Sequence, residues 1–315
     1  MSDLAVVLGA SGGIGSAVVA ELVRQGTPTR AVSRHARTDA VPPGVQALAA
    51  DVATPSGAAD AVRGATVVYH CVQPAYTRWT QEFPTLTAAI TAATTAVAAK
   101  LVVADNLYMY FPVEGPLTEQ SPQRPPHRKG RVRAEMADNL LAANDAGRLA
   151  VVLGRASDYF GPGGTHSVLG TTLFWRVVAG RRPQWIGRLD QLHTLHYLPD
   201  LARALVLLGT RADANGRAWH LPAAPAITGA ALFDQLSTAV GWQIRPSVAS
   251  RRMLRVAGLV MPMAQELAET CYQWEQPFVS DASAFEATFG PFPVTSLADA
   301  LSATVSWWQA GSPAG

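Results

Sequence analysis

Short apolar runs alternate with stretches of helical period along the first half of the chain. The pattern predicts strands at 4–8, 29–33, 45–49, 66–71, 100–104 and 149–153. Between them it predicts helices at 14–25, 56–63, 85–99 and 131–144. Strands that are apolar throughout and separated by helices belong to a parallel sheet covered on both faces. Right-handed crossovers then make the sheet doubly wound. The expected fold class is α/β. The second half is less regular, with helices predicted at 167–179, 198–209, 229–240, 251–257, 263–273 and 296–307 and one strand at 218–221. Prolines at 222, 225, 246, 262, 277, 291 and 293 punctuate it. We read a smaller, mostly helical C-terminal lobe over one sheet edge. Residues 1–165, with about 186–222 returning to them, form the sheet domain, and 166–185 with 223–315 form the lobe. The proline-rich stretch 112–126 is too long for a simple turn and reads as a functional loop.

Composition narrows the class. The 315 residues are 49% hydrophobic and 15% charged, against about 25% charged in an average globular chain. That balance excludes a mainly disordered protein. A net charge of +2 exerts no overall pull on nucleic acid or an anionic membrane, so neither is expected as a partner. Lys100 and Lys129 are the only lysines. Cys71 and Cys271 make no spaced framework for disulfides or a metal. The first apolar run lacks a basic leader and stops at a glycine-rich turn, and no apolar stretch reaches about 18 residues. The expected compartment is the cytoplasm.

The richest local signal is VVLGASGGIGSAVVAEL, with Gly9, Gly12 and Gly15 at three-residue spacing between the first strand and a helix. Glycines there permit a tight turn, close approach of a pyrophosphate and close helix–strand packing. Ser11, Gly13 and Ile14 complete the loop, whose helix N-terminus suits phosphate. A dinucleotide without a 2′-phosphate is usually held by Asp or Glu at the end of the second strand. Here the polar residues are Ser33, Arg34 and Arg37, and guanidinium groups grip phosphate bidentately. NADP is therefore expected over NAD. Asp51, followed by Val52, can accept from an adenine amino group or cap the next helix.

These features, together with Asp51-Val52, TVVYHCVQP at 66–74, VVADNLYMYFPVEGPLTEQSPQRPP at 102–126, RAE at 133–135 and LHYLPDLARALV at 195–206, resemble the short-chain dehydrogenase/reductase superfamily. Within it, the chain is similar to the extended branch of nicotinamide-dependent epimerases, dehydratases and reductases. The resemblance implies a Rossmann-type domain, a C-terminal substrate lobe, a cleft between them and a homodimer.

The family's chemistry rests on a tyrosine and a lysine four residues later, on one helix face. This sequence has no such pair. Counting back from Arg133-Ala134-Glu135, the tyrosine position falls on His127 and the lysine position on Arg131. The family's serine or threonine falls on Asn106. Arg131 keeps the positive charge and can bond a ribose or stabilise an oxyanion. His127 can act as acid or base near neutral pH, or point to water. Lys129 reads as an exposed ammonium. Asp105 and Asn106 end the fifth strand, at the carboxyl edge where ligands bind. Tyr108 and Tyr110 follow, and either phenol can replace the missing donor or simply pack. Cys71, Val72, Gln73 and Pro74, after the fourth strand, are expected along the cofactor. Tyr76, Trp79, Asp158 and Tyr159 are expected on the substrate. His193 and His196 lack the further ligands a zinc site needs. Tryptophans 175, 185, 242 and 274 suggest an apolar or aromatic small molecule.

Three functions stay open at this point. The first is an NADP-dependent oxidoreductase acting on a small carbonyl, imine or alcohol. The second is a redox-neutral epimerase, dehydratase or cyclase with bound nicotinamide. The third is a dinucleotide sensor without turnover.

Overall fold

The computed structural model describes residues 3–35, 41–111, 114–125 and 127–311. The apolar runs become strands β1 (Ala5–Leu8), β2 (Thr29–Ser33), β3 (Gln46–Ala49), β4 (Val67–His70), β5 (Lys100–Asn106) and β6 (Val151–Ala156). With Ala218–His220 they form one seven-stranded sheet, ordered Ala218–His220, β6, β5, β4, β1, β2, β3. Every pairing in it is parallel. The reason is visible in β1, whose four residues AVVL are all buried, as a strand covered on both faces requires. β1 is flanked by β2 on one side and β4 on the other. That reversal of strand order opens a crevice at the carboxyl ends, where open α/β sheets bind ligands.

Helices α1 (Gly13–Arg24), α2 (Pro55–Val62), α3 (Trp79–Ala96) and α4 (Arg128–Asp145) complete the crossovers. α2, α3 and α4 share one core with Val6, Leu8, Val68 and Val103. α1 and the helix Leu198–Thr210 cover the other face with Val7, Val102 and Val152. Each fully buried Val or Leu contributes roughly 1.5–3 kcal/mol. A third core holds Phe160, Trp185, Phe233, Trp274 and Trp308 together in the C-terminal part. Sequence periodicity missed one helix there, Ser283–Phe289, which sends Phe285 into the sheet core. Among the described residues, no helix is long and apolar enough to cross a membrane.

Four histidines are buried neutral. Burial pulls His70 and His220 down to about 3, and His127 and His196 down to about 4. Both nitrogens of His70 lack hydrogen-bond partners. Between pH 6.5 and about 4 the unfolded chain therefore takes up protons that the native state refuses, so stability falls as pH falls through that window. Denaturant midpoints at pH 7 and pH 5 test this. The midpoint at pH 5 is expected to be lower, and an unchanged midpoint contradicts the account.

Candidate active site

The glycine turn is built by sterics. Gly9 has φ +81°, and a Cβ there would stand 2.9 Å from the Cys71 carbonyl at the end of β4. A Cβ on Gly15 would stand 2.1 Å from the Gly9 oxygen. The turn thus locks α1 against β1. Gly12, the N-cap of α1, is open on its Cβ side except for the Gly9 oxygen at 3.4 Å. The first intrahelical bond runs from the Ser16 N–H to the Gly12 carbonyl, leaving the amides of Gly13, Ile14 and Gly15 without helical acceptors. No acidic residue lies in the first turn. An open cradle of free amides at a helix N-terminus fits a pyrophosphate.

A cleft of about 1130 Å³ runs from this turn across the sheet edge. Gly9, Ser11, Gly12, Gly13 and Ile14 line one end, with Arg34, Asp51 and Val52. Gly15 lies behind them as packing. Arg37 falls outside the described residues. The capping alternative for Asp51 does not hold, because Thr54 is the N-cap of α2 and accepts from the Gly57 N–H. The Asp51 carboxylate instead accepts from Ala53 N–H at 3.1 Å and stays exposed. Cys71, Val72, Gln73 and Pro74 line the middle, and Tyr76, Trp79, Asn106, Tyr108, Asp158 and Tyr159 line the far half.

Tyr108 is the best-placed phenol. Its backbone N–H donates to the Asn106 side-chain oxygen at 3.1 Å, which leaves the Asn106 amide hydrogens for a ligand. Its hydroxyl accepts from the Tyr76 hydroxyl at 3.3 Å, and Tyr76 pairs with the Thr270 hydroxyl at 3.2 Å. Burial raises Tyr108 well above the usual phenol range and Tyr76 to about 12, so both are proton-carrying phenols at neutral pH. Asp158 stands at the cleft with its carboxylate 2.9 Å from His193 Nε2. His193 also meets the Ser157 hydroxyl at 3.2 Å and the Gln273 carbonyl at 3.0 Å, and stacks on Trp274 at 3.9 Å. That buried ring holds Asp158 in place.

Several expected site residues lie elsewhere. Tyr110 is buried behind the sheet edge, where its hydroxyl accepts from Arg155 at 2.5 Å and meets His220 at 3.2 Å. His127 is buried rather than solvated and forms the N-cap of α4. Its Nδ1 accepts from the Gly130 N–H at 3.1 Å, and its Nε2 pairs with the Tyr272 hydroxyl at 3.4 Å. Neither nitrogen is free. Arg131 is exposed and lines a separate small pocket with His127. For Arg131 the cause is helix phase: Lys129 and Arg133 face inward on α4 and Arg131 faces outward. Lys129 is not exposed. It is buried in an ion pair with Glu266 and stands 4.5 Å above the Tyr76 ring, and burial draws its ammonium down to about 8. Asp105 reaches the cleft floor, but its carboxylate is fully buried between Arg133 and Arg155, each at 3.0 Å.

The structure adds Ser157, His166, Thr171, Thr172, Thr270, Gln273 and Trp274 to the cleft wall. Thr171 and Thr172 sit on a π-helical turn, Gly170–Phe174, a distortion common at functional sites. Its apolar run read as ordinary helix, and only the C-terminal tryptophans hinted at this wall. Among the described residues no cluster of His, Cys, Asp and Glu suits a metal.

A parallel sheet with its glycine turn at the switch point defines a dinucleotide-binding α/β enzyme. The chain belongs to the NAD dependent epimerase/dehydratase family, whose model matches residues 5–221; this family is one of enzymes. No protein of curated function matches. Among solved structures, the chain is similar to UDP-glucuronic acid 4-epimerase from Bacillus cereus in complex with NAD, at 14% identity and TM-score 0.80, covering 98% of this chain and 99% of that one. It is also similar to UDP-glucose 4-epimerase from Thermus thermophilus in complex with NAD, at 19% identity and TM-score 0.78, covering 98% and 100%. A third is the dTDP-glucose 4,6-dehydratase DesIV from Streptomyces venezuelae, at 18% identity and TM-score 0.79, covering 98% and 97%.

Proposed function

We propose that the protein is a nicotinamide-dinucleotide-dependent oxidoreductase acting on a small carbonyl, imine or alcohol, with Tyr108 as its proton donor and acceptor. The observation that carries this is the Tyr108 phenol beside Asn106 at the carboxyl end of β5, inside the cleft that begins at the glycine turn. Gly9–Ile14 hold the pyrophosphate, Asp51 and Val52 the adenine side, and Cys71–Pro74 the nicotinamide side. When bound, the cofactor supplies or removes a hydride at its ring. The protein does the rest. The Asn106 amide donates to the substrate oxygen or nitrogen and polarises it. The phenol of Tyr108 gives that atom its proton, and the Tyr76 hydroxyl, already 3.3 Å away, stabilises the phenolate left behind. The reverse sequence serves oxidation. Trp79, Tyr159 and Trp274 line the substrate half and suit an apolar or aromatic compound. The lobe 166–185 and 223–315 supplies the outer wall of that half, with Thr171, Thr172, Thr270 and Trp274, and the sheet domain supplies the rest.

The family and the neighbouring epimerases and dehydratases crystallised with NAD support a second, redox-neutral reading in which the cofactor is restored each turnover. Absorbance of the reduced nicotinamide separates the two. Net substrate-dependent consumption supports the first, and turnover without consumption supports the second.

Those neighbours hold NAD, whereas the end of β2 here favours NADP. Arg34 lines the cleft at the place where a 2′-phosphate would lie, with no Asp or Glu at the strand end. Arg34→Glu is expected to raise the Kd for NADP at least tenfold, about 1.4 kcal/mol, with a much smaller change for NAD. Paired calorimetric titrations check this, and equal losses for both would remove the 2′-phosphate assignment.

A further inference from the structure

Among the described residues, eleven large apolar side chains are exposed, and six of them fall between Met253 and Met263. They are Met253, Val256, Leu259, Val260, Met261 and Met263, with Leu259 84% and Val260 83% exposed. They occupy the outer side and the tip of a hairpin made by helices Arg251–Ala257 and Pro262–Thr270. A patch of this kind on a water-soluble surface marks a docking site.

Its charge says what docks there. Between Asp234 and Glu266 the sequence carries Arg245, Arg251, Arg252 and Arg255 and no carboxylate. The nearest acids on the hairpin, Glu266 and Glu269, are turned inward onto Lys129 and Arg128. Arg251 and Arg255, one turn apart, line a pocket of about 340 Å³ with Arg128 and Arg131; Glu275 pairs with Arg251 and Glu269 with Arg128, which leaves Arg131 and Arg255 as the uncompensated cations. Arg252, Arg255 and Arg131 have no ion pair among the described residues. A second copy packed patch to patch about a two-fold axis would bring cations against cations. The near-neutral total charge masks this local excess.

We propose that the hairpin docks on an anionic lipid bilayer, with Leu259, Val260 and Met261 in the acyl boundary and Arg252 and Arg255 on lipid phosphates. An apolar edge flanked by arginines is the chemistry of interfacial membrane binding. Met263 and Leu267 of the same hairpin line the large cleft, so docking sets the cleft mouth beside the lipid surface. This inference is independent of the reaction proposed above.

The test is co-sedimentation of the full chain with phosphatidylcholine vesicles, pure or containing about one-third phosphatidylglycerol. Binding is expected only to the anionic vesicles and weakens in high salt, where charge attraction is screened. Val260→Asp and, separately, Arg252→Glu with Arg255→Glu are each expected to weaken it at least tenfold. Both change exposed side chains, and unchanged melting curves verify the fold. Absence of binding to the anionic vesicles overturns the proposal, as does binding that Val260→Asp leaves intact. So does full competition by soluble glycerol phosphate, which would make the pocket a site for free phosphate. A dimer in solution that Val260→Asp dissociates would assign the patch to a second copy instead.

Discussion

Asp105→Ala is expected to cost about 3–5 kcal/mol of folding stability, the usual penalty for stripping the partner from a buried charge. The Asp105 carboxylate is fully buried, with Arg133 and Arg155 each 3.0 Å away. Removing it leaves two buried guanidinium groups facing one another without a counter-charge. The damage does not stop there. Arg155 donates to the Tyr110 hydroxyl, Tyr110 meets His220, and the His220 ring pairs with Ser280 at 3.1 Å. One carboxylate therefore anchors β5, α4, β6 and the edge strand Ala218–His220 beneath the cleft. Arg133 also lies 4.7 Å from the Phe83 ring of α3, so its position ties that helix in as well. Denaturant unfolding checks the prediction, and a loss below about 1 kcal/mol would show that solvent or repacking relieves the two arginines.

Tyr108→Phe is expected to slow turnover by about a hundredfold, the lower range for losing a positioned proton donor. Cofactor affinity should not change, because the phenol touches Tyr76 rather than the glycine turn. The substitution keeps the ring, which packs 5.7 Å from Trp79, so fold and cleft shape are retained. Undiminished kcat would pass the proton role to another group on the cleft wall.

The sheet was legible because its strands are buried on both faces and read as unbroken apolar runs. The glycine turn was legible because its three-residue spacing is local in the sequence, with Gly12 and Gly15 packed on Gly9, even though Gly9 itself is required by the approach of Cys71. The inward face of α4 was not. Prolines at 122, 125 and 126 obscured its start, and the sequence offered Arg131 to the site although it lies two residues from each of the inward-facing Lys129 and Arg133. Two residues are roughly 200° around an α-helix, enough to turn an inward face outward. His127 ended as a cap because its Nδ1 accepts from the Gly130 N–H. The wall formed by Thr270, Gln273 and Trp274 was illegible for another reason. It meets Tyr76 and Asp158 only through tertiary packing across more than a hundred residues, which no local pattern encodes. Arg133 was illegible for the same reason, since its partner Asp105 lies on β5.

The most direct test of a dinucleotide lying over the glycine turn is isothermal calorimetry with all four nicotinamide nucleotides, on the native chain and on Gly12→Asp. Gly12 has φ −83° and ψ 164°, a conformation open to any residue, and aspartate is a favourable N-cap. The variant therefore folds but fills the phosphate cradle with a like charge. Saturable binding of at least one nucleotide, abolished in Gly12→Asp, is the expected result. No binding heat from the folded native chain, or equal affinity in the variant, would contradict it.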